Sequence, residues 1–292
     1  MWNYSERRGG LMQEKIRILA EVVLKMDNHL RNELLEKDSN MLWENTYIKR
    51  QIEKRKQGGI FSVQDHICAM VYSMLSAGIT WERVNGHIDN KTKRIIPIDN
   101  IFCQYDPQQI LQFAPEQLRD KIKELHFASQ YTLKQMQALL SVNIPKLLQW
   151  EKEYGTVDTY YQKYIQEDTS IKSLVKTLSD SKSKNKLAQM EIALVSEYLR
   201  NVGYDIPKPD RHTRRILGSD ILGVSEKQIA EPFEVFDILQ DVAEKMGKSV
   251  AEVDYILWSY CANGYGEVCT VNQPKCEECV ISKICYKNFE KV

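Results

Sequence analysis

The chain has 292 residues, 43% apolar and 27% charged, and its 40 basic and 40 acidic side chains cancel to a formal net charge of zero. That length can bury a sizeable core as one large domain or two lobes, and the neutral balance gives no global pull toward nucleic acid. No apolar run approaches a membrane span, and the opening MWNYSERRGG has no apolar stretch before a cleavage site, so neither a transmembrane helix nor a secretory signal is expected.

The pattern is helical almost throughout. Ile16, Leu19, Val23, Met26, Leu30 and Leu34 recur at helical spacing over residues 11–38. A basic stretch, KRQIEKRK at 49–56, then runs to Gly58 and Gly59, which break the pattern. Ser62 with Asp65 forms a capping-box signal for a helix carrying Ile67, Met70, Val71 and Met74. Residues 84–108, with Gly86, Pro97 and Pro107, read as a loop-rich connection. Helical segments follow near 115–125, 130–142, 144–153, 157–165 and 170–179. Leu187, Met190, Leu194, Tyr198 and Val202 define another, stopped by Gly203. The two prolines in YDIPKP (204–209) exclude a helix there, and one resumes after Asp210. Ser225 with Gln228, and Ser249 with Glu252, open two more. Strand signals are nearly absent, no fixed-period repeat exists, and the fold class is all-α.

Local charge departs from the neutral total. Lys172, Lys176, Lys182, Lys184 and Lys186 share a short stretch with one acid, Asp180, and residues 208–215 read KPDRHTRR. Such patches supply phosphate contacts in a neutral protein, although each by itself also suits a solvated helix face.

Seven cysteines are unevenly spread: Cys68, Cys103 and Cys261 stand alone, and four crowd into the last 24 residues. This is no disulfide framework, and it implies a reducing compartment, hence a cytoplasmic location. Cys269, Cys276, Cys279 and Cys285 are spaced C-x6-C-x2-C-x5-C. Four thiolates suit a cubane iron–sulfur cluster or tetrahedral zinc. A single short knuckle flanked by longer arms favours iron–sulfur, because zinc sites commonly pair two short knuckles.

The run CTVNQPKCEECVISKIC, with the approach VDYILWSYCANGYGEVC, resembles the C-terminal cluster loop of endonuclease III and its relatives in the helix-hairpin-helix DNA glycosylase superfamily. That resemblance implies a 4Fe–4S cluster on the four cysteines. The segment NVGYDIPKPDRHTRRILG is similar to the family's stretch in which a glycine ends a helix and an aspartate opens the next. It implies Asp210 as the catalytic carboxylate, with His212 and Arg214 or Arg215 in similar places. Cleaving an N-glycosidic bond builds positive charge on the sugar, and a carboxylate held at a helix N-terminus stabilises that charge. An aspartate in this position also serves as an ordinary N-cap, and the two roles are compatible.

FSVQDHICAMVYSMLSAGITWERV resembles the family's early helix and following turn, which implies a base pocket lined by Tyr72, Ser76 and Trp81. The family's gap-filling amide falls on Gly78. Two further departures stand out. The hairpin, ordinarily glycine–x–glycine, corresponds to SDSKSKNKLAQMEIALVSEYL, with no glycine, and Lys182, Lys184 and Lys186 are candidate replacements as phosphate contacts. The lysine that bifunctional members use falls near Ile192 or Ala193, so the resemblance implies a monofunctional glycosylase acting through water.

The expected protein is a monomeric, two-lobe glycosylase acting on double-stranded DNA with a modified or damaged base, and it has no membrane partner. Residues 58–205 would form a helical barrel. Residues 1–57 would pack with 206–292, which carry the cluster loop, and Asp210 would lie on the seam. The rival readings are a non-catalytic DNA-binding protein of the same fold and a zinc-stapled interaction protein.

Overall fold

The computed structural model describes residues 4–78, 82–168 and 170–289. Its helices in chain order are α1 (Tyr4–Lys37), α2 (Tyr47–Lys56), α3 (Val63–Leu75), α4 (Glu82–Asn85), α5 (Ile96–Ile101), α6 (Pro107–Ile110), α7 (Pro115–Glu124), α8 (Thr132–Ala138), α9 (Ile144–Tyr154), α10 (Val157–Asp168), α11 (Ile171–Ser179), α12 (Ile192–Asn201), α13 (Arg211–Ile216), α14 (Pro232–Met246), α15 (Val250–Cys261) and α16 (Tyr286–Phe289). A π turn, Leu139–Asn143, joins α8 to α9. Among the described residues there is no strand, only an isolated bridge between Ile88 and Ile95, and no helix is long and apolar enough to cross a membrane. The all-α expectation therefore matches the architecture.

The chain divides into two compact units, one of residues 1–44 with 205–292 and one of residues 45–204. In the first, α1 packs against α14 and α15. Ile16, Leu19, Val23, Met26, Leu30 and Leu34, one face of α1, are all buried there, as their spacing requires.

In the second unit α3 and α12 pack together, and α3 is buried from His66 to its end at Leu75. Ser62 and Asp65 form the expected capping box at its start. The sequence places residues 45–57 with the N-terminal helices, whereas α2 packs on α12 in this unit. Basic side chains do not signal burial, yet Arg55 is tied into the core. Its Nε donates to the Val202 carbonyl at 2.7 Å, Nη2 pairs with Asp158 at 2.8 Å, and the guanidinium lies between the rings of Phe61 and Tyr204.

Three expected elements differ. Residues 84–108 contain the short helices α5 and α6, with prolines at their first turns, where proline is tolerated. The helix placed over 187–202 begins only at Ile192; Leu187 and Met190 are buried loop residues whose spacing imitates a helical face. No helix starts at Ser225 either. Pro232 and a Glu231–Glu234 capping box open α14 instead, and the Ser225 hydroxyl donates to Glu234 at 2.9 Å.

Gly203 ends α12 with φ +84°, and a Cβ there would run into the Gln51 carbonyl of α2. Gly203→Ala should therefore lower unfolding free energy by about 3 kcal/mol, from left-handed strain plus displaced packing. Chemical denaturation checks this, and a variant as stable as the parent would refute the close approach.

Candidate active site and metal centre

Asp210 and the cysteine loop lie in the same unit. The extended segment before Asp210 is held by one buried carboxylate. Asp254 on α15, 1% exposed, accepts from the Lys208 amide at 3.1 Å and from the Thr213 hydroxyl at 2.9 Å. Asp205 anchors the same segment from its other end, accepting from the Ala251 amide at 3.0 Å. The prolines keep the segment extended, and α15 fixes where α13 starts.

Asp210 is half-buried and N-caps α13: its Oδ1 accepts from the amides of His212 at 2.7 Å and Thr213 at 3.2 Å. Both bonds use one oxygen, so the cap does not require the other. With six residues, α13 contributes only a small dipole, and the direct amide bonds do most to position the carboxylate. His212 is half-buried beside it. Burial holds its pKa below the ordinary imidazole value, Asp210 pulls the other way, and Arg211, Arg215 and Lys208 add to the depression. Its Nδ1 is buried without a hydrogen-bond partner. A neutral ring at pH 7 follows.

Arg214 is a structural strap. Its Nε donates to the Ala230 carbonyl at 2.7 Å, and its own carbonyl accepts the Ala230 amide at 3.0 Å. Arg215 reaches the cysteine loop, donating from Nη1 to the Cys269 sulfur at 3.6 Å and from Nη2 to the Cys269 carbonyl. The helix that Asp210 caps is thus tied to the first cysteine of the loop by one guanidinium.

The loop itself, residues 262–285, has turns but no regular structure. Buried Tyr260 of α15 is its anchor. The Tyr260 carbonyl accepts the amides of Val268 at 3.0 Å and Cys269 at 3.1 Å. Its hydroxyl lies 3.4 Å from the Cys279 sulfur and accepts the Val280 amide at 3.0 Å. The Lys275 amide closes the 268–275 turn onto the Val268 carbonyl at 2.8 Å, and Ile281 is buried beneath the second turn. Cys269 is pushed down to about 6, first by the hydrogen bond from the buried Cys261 thiol and then by Arg215, against its burial. Burial raises Cys279, which also feels Cys269 and Cys285. Among the described residues no three His, Cys, Asp or Glu side chains stand close enough to hold one metal ion. The four cysteines form no disulfide and are half-buried on one loop fixed at both ends. As a donor set they suit a soft, thiolate-bound centre, with Cys269 already favouring the thiolate that such a centre needs.

The other predicted residues lie in the second unit. Tyr72 is 6% exposed, and its hydroxyl donates to Asp99 at 2.8 Å and accepts the Ile95 amide at 2.8 Å, so its polar end is taken up inside the fold. Ser76 caps the end of α3, donating to the Ser73 carbonyl at 2.7 Å. Trp81 lies outside the described residues. Lys182 and Lys184 are exposed on the loop between α11 and α12. Lys186 is held inward, its ammonium on the Ser179 carbonyl and on Glu191 at 2.9 Å. Ile192 and Ala193 open α12, and no lysine stands there.

Sequence reasoning missed Tyr260 and Asp254 as site residues. Both are buried in α15, and only their contacts reveal a second role.

No protein-family model and no curated protein matches the chain. Solved structures similar to it include two of the 8-oxoguanine DNA glycosylase of Methanocaldococcus jannaschii. One, a complex with DNA containing 8-oxoguanine, is 18% identical over 80% of this chain and 96% of that one, with a TM-score of 0.49. The other is 19% identical over 82% and 92%, with a TM-score of 0.48.

Asp254→Ala should remove the bonds from the Lys208 amide and the Thr213 hydroxyl, and should cost about 2 kcal/mol of stability. Thermal melting checks the loss. An unchanged melting temperature would show that the segment before Asp210 is held elsewhere.

Proposed function

We propose that the protein is a DNA N-glycosylase that removes a damaged or modified base from double-stranded DNA by hydrolysis, without cleaving the strand. The observation that carries this reading is Asp210: a carboxylate fixed through one oxygen on a short helix that Arg215 straps to the cysteine loop. The sequence around both features resembles helix-hairpin-helix glycosylases.

In the reaction, positive charge builds on the sugar as the base departs. The second oxygen of Asp210 would face that charge and would also orient or deprotonate the attacking water. Because Oδ1 is already bonded to two amides, the carboxylate loses little freedom on reaching that geometry. Neutral His212 can hydrogen-bond the attacking water without adding repulsion to the cationic sugar. No lysine opens α12, where the resemblance would place that of a bifunctional member, and Lys186 is engaged by Ser179 and Glu191, which supports hydrolysis over Schiff-base chemistry.

Cys269, Cys276, Cys279 and Cys285 would hold a 4Fe–4S cluster, which would supply structural order to the loop and orient it toward DNA. Tyr260 and Arg215 support that loop from within the fold. Anaerobically purified protein should be yellow-brown, with about four irons per chain. Cys279→Ser should lose the colour and much of the soluble yield. Stoichiometric zinc without iron, in protein made under iron-replete conditions, would refute the cluster.

Asp210→Asn retains an oxygen for the cap and removes the charge. It should fold normally, bind duplex at least as well, and lose excision by about two to three orders of magnitude on a panel of modified-base duplexes. With the parent protein, nicks should appear only after hot alkali, and borohydride should trap no covalent complex. A trapped complex would identify an amine nucleophile. Full activity in Asp210→Asn would reduce Asp210 to a helix cap. Binding without excision across the panel would favour the non-catalytic reading, which the glycine-free loop supports.

A further inference from the structure

The loop between α11 and α12 contains no glycine, yet it takes a conformation that glycine ordinarily supplies: Gln189 has φ +58°. Its shape is imposed from neighbouring helices. Asn143, fully buried at the end of the π turn, pairs with Ala188 in both directions, Nδ2 to the carbonyl at 3.0 Å and the Ala188 amide to Oδ1 at 2.8 Å. Tyr164 of α10 accepts from the Asn185 carboxamide at 2.8 Å. Lys146, in the first turn of α9, places its ammonium on the carbonyls of Lys184 and Lys186, both at 2.8 Å. Neither carbonyl belongs to a regular helix, and both are bound by one cation.

That arrangement has an electrostatic consequence. A phosphate is repelled by the negative ends of peptide dipoles and attracted by N–H groups and ammonium ions. Drawing the Lys184 and Lys186 carbonyls onto Lys146 withdraws them from the surface that carries Lys182 and Lys184. It also holds that surface next to the start of α12, which no side chain caps. Burial depresses the pKa of Lys146, as expected for an ammonium that has exchanged water for carbonyl partners.

We propose that Lys146 is a positioning residue for DNA binding: it folds the 180–191 loop into a phosphate-facing platform in place of the conformational freedom of glycine, while Lys182 and Lys184 make the contacts. This inference rests on the DNA-acting reading above. Its test compares the full-length protein with Lys146→Met and Lys146→Arg, in three measurements: duplex affinity across a salt series, amide hydrogen exchange over 180–191, and melting temperature.

Lys146→Met should melt within a few degrees of the parent, exchange faster at Leu187 and Ala188, and bind duplex about tenfold more weakly, with a shallower salt dependence because more than one phosphate contact is lost. Lys146→Arg, which keeps a cation able to reach both carbonyls, should recover most of the affinity and protection. Faster exchange with unchanged affinity would show that the loop does not face DNA and would overturn the proposal. So would weaker binding with unchanged exchange and a salt slope reduced by about one, since Lys146 would then be a direct phosphate contact. If the parent itself binds no duplex at low salt, the glycosylase reading fails first, an outcome distinct from parent binding that Lys146→Met leaves intact.

Discussion

The unit that carries the candidate active site depends on a buried carboxylate. Asp254 lies in an otherwise apolar stretch of α15, and burying a charge there is costly unless hydrogen bonds replace its lost hydration. The replacements come from the Lys208 amide and the Thr213 hydroxyl, one on each side of Asp210. The segment between them contains Pro209 and cannot satisfy itself as helix or sheet, so the backbone before α13 has few alternatives to Asp254. The position of Asp210 is therefore set through bonds to the residues on either side of it.

From α13 the constraint passes to the cysteine loop. Arg215 is one and a half turns beyond Asp210 and bonds both the sulfur and the carbonyl of Cys269, while Tyr260 holds the loop at Cys269 and at Cys279. Irregular loops of this length rarely keep one conformation unless side chains or a bound group cross-link them. Here the protein's own cross-links enter near the first and third cysteines, and a proposed cluster would add the remaining ones. Rigidity of the loop and placement of Asp210 share the same helix, α15, so disturbing either is expected to reach the other.

The loop between α11 and α12 solves a different problem by different means. A glycine hairpin carries its conformational freedom in its own backbone. This loop borrows constraint from Asn143, Lys146 and Tyr164, residues far from it in sequence. One consequence is that its three lysines are not equivalent: Lys182 and Lys184 face solvent, whereas Lys186 is used internally on Ser179 and Glu191. Spacing alone groups them as one patch. Tyr72 likewise shares an expected pocket with Ser76 by sequence, yet its hydroxyl is committed to Asp99 and the Ile95 amide.

The sequence by itself determined the elements governed by local rules. The buried face of α1 follows from periodicity, the start of α3 from its capping box, the end of α12 from Gly203, and Asp210 at the head of α13 from the prolines before it. The cysteine spacing marked its own loop for the same reason, since four cysteines this close in sequence share one turn system. Tertiary structure decided what local rules cannot see. Arg55 enters a core, α2 joins the second unit, and Leu187 and Met190 are buried without a helix, because partners distant in sequence outweigh weak local preference at each place. The supports of the candidate site, Asp254, Tyr260 and Arg215, belong to the same group, as does Lys146 in the other unit: each acts through a contact distant in sequence, and such contacts exist only once the helices have packed.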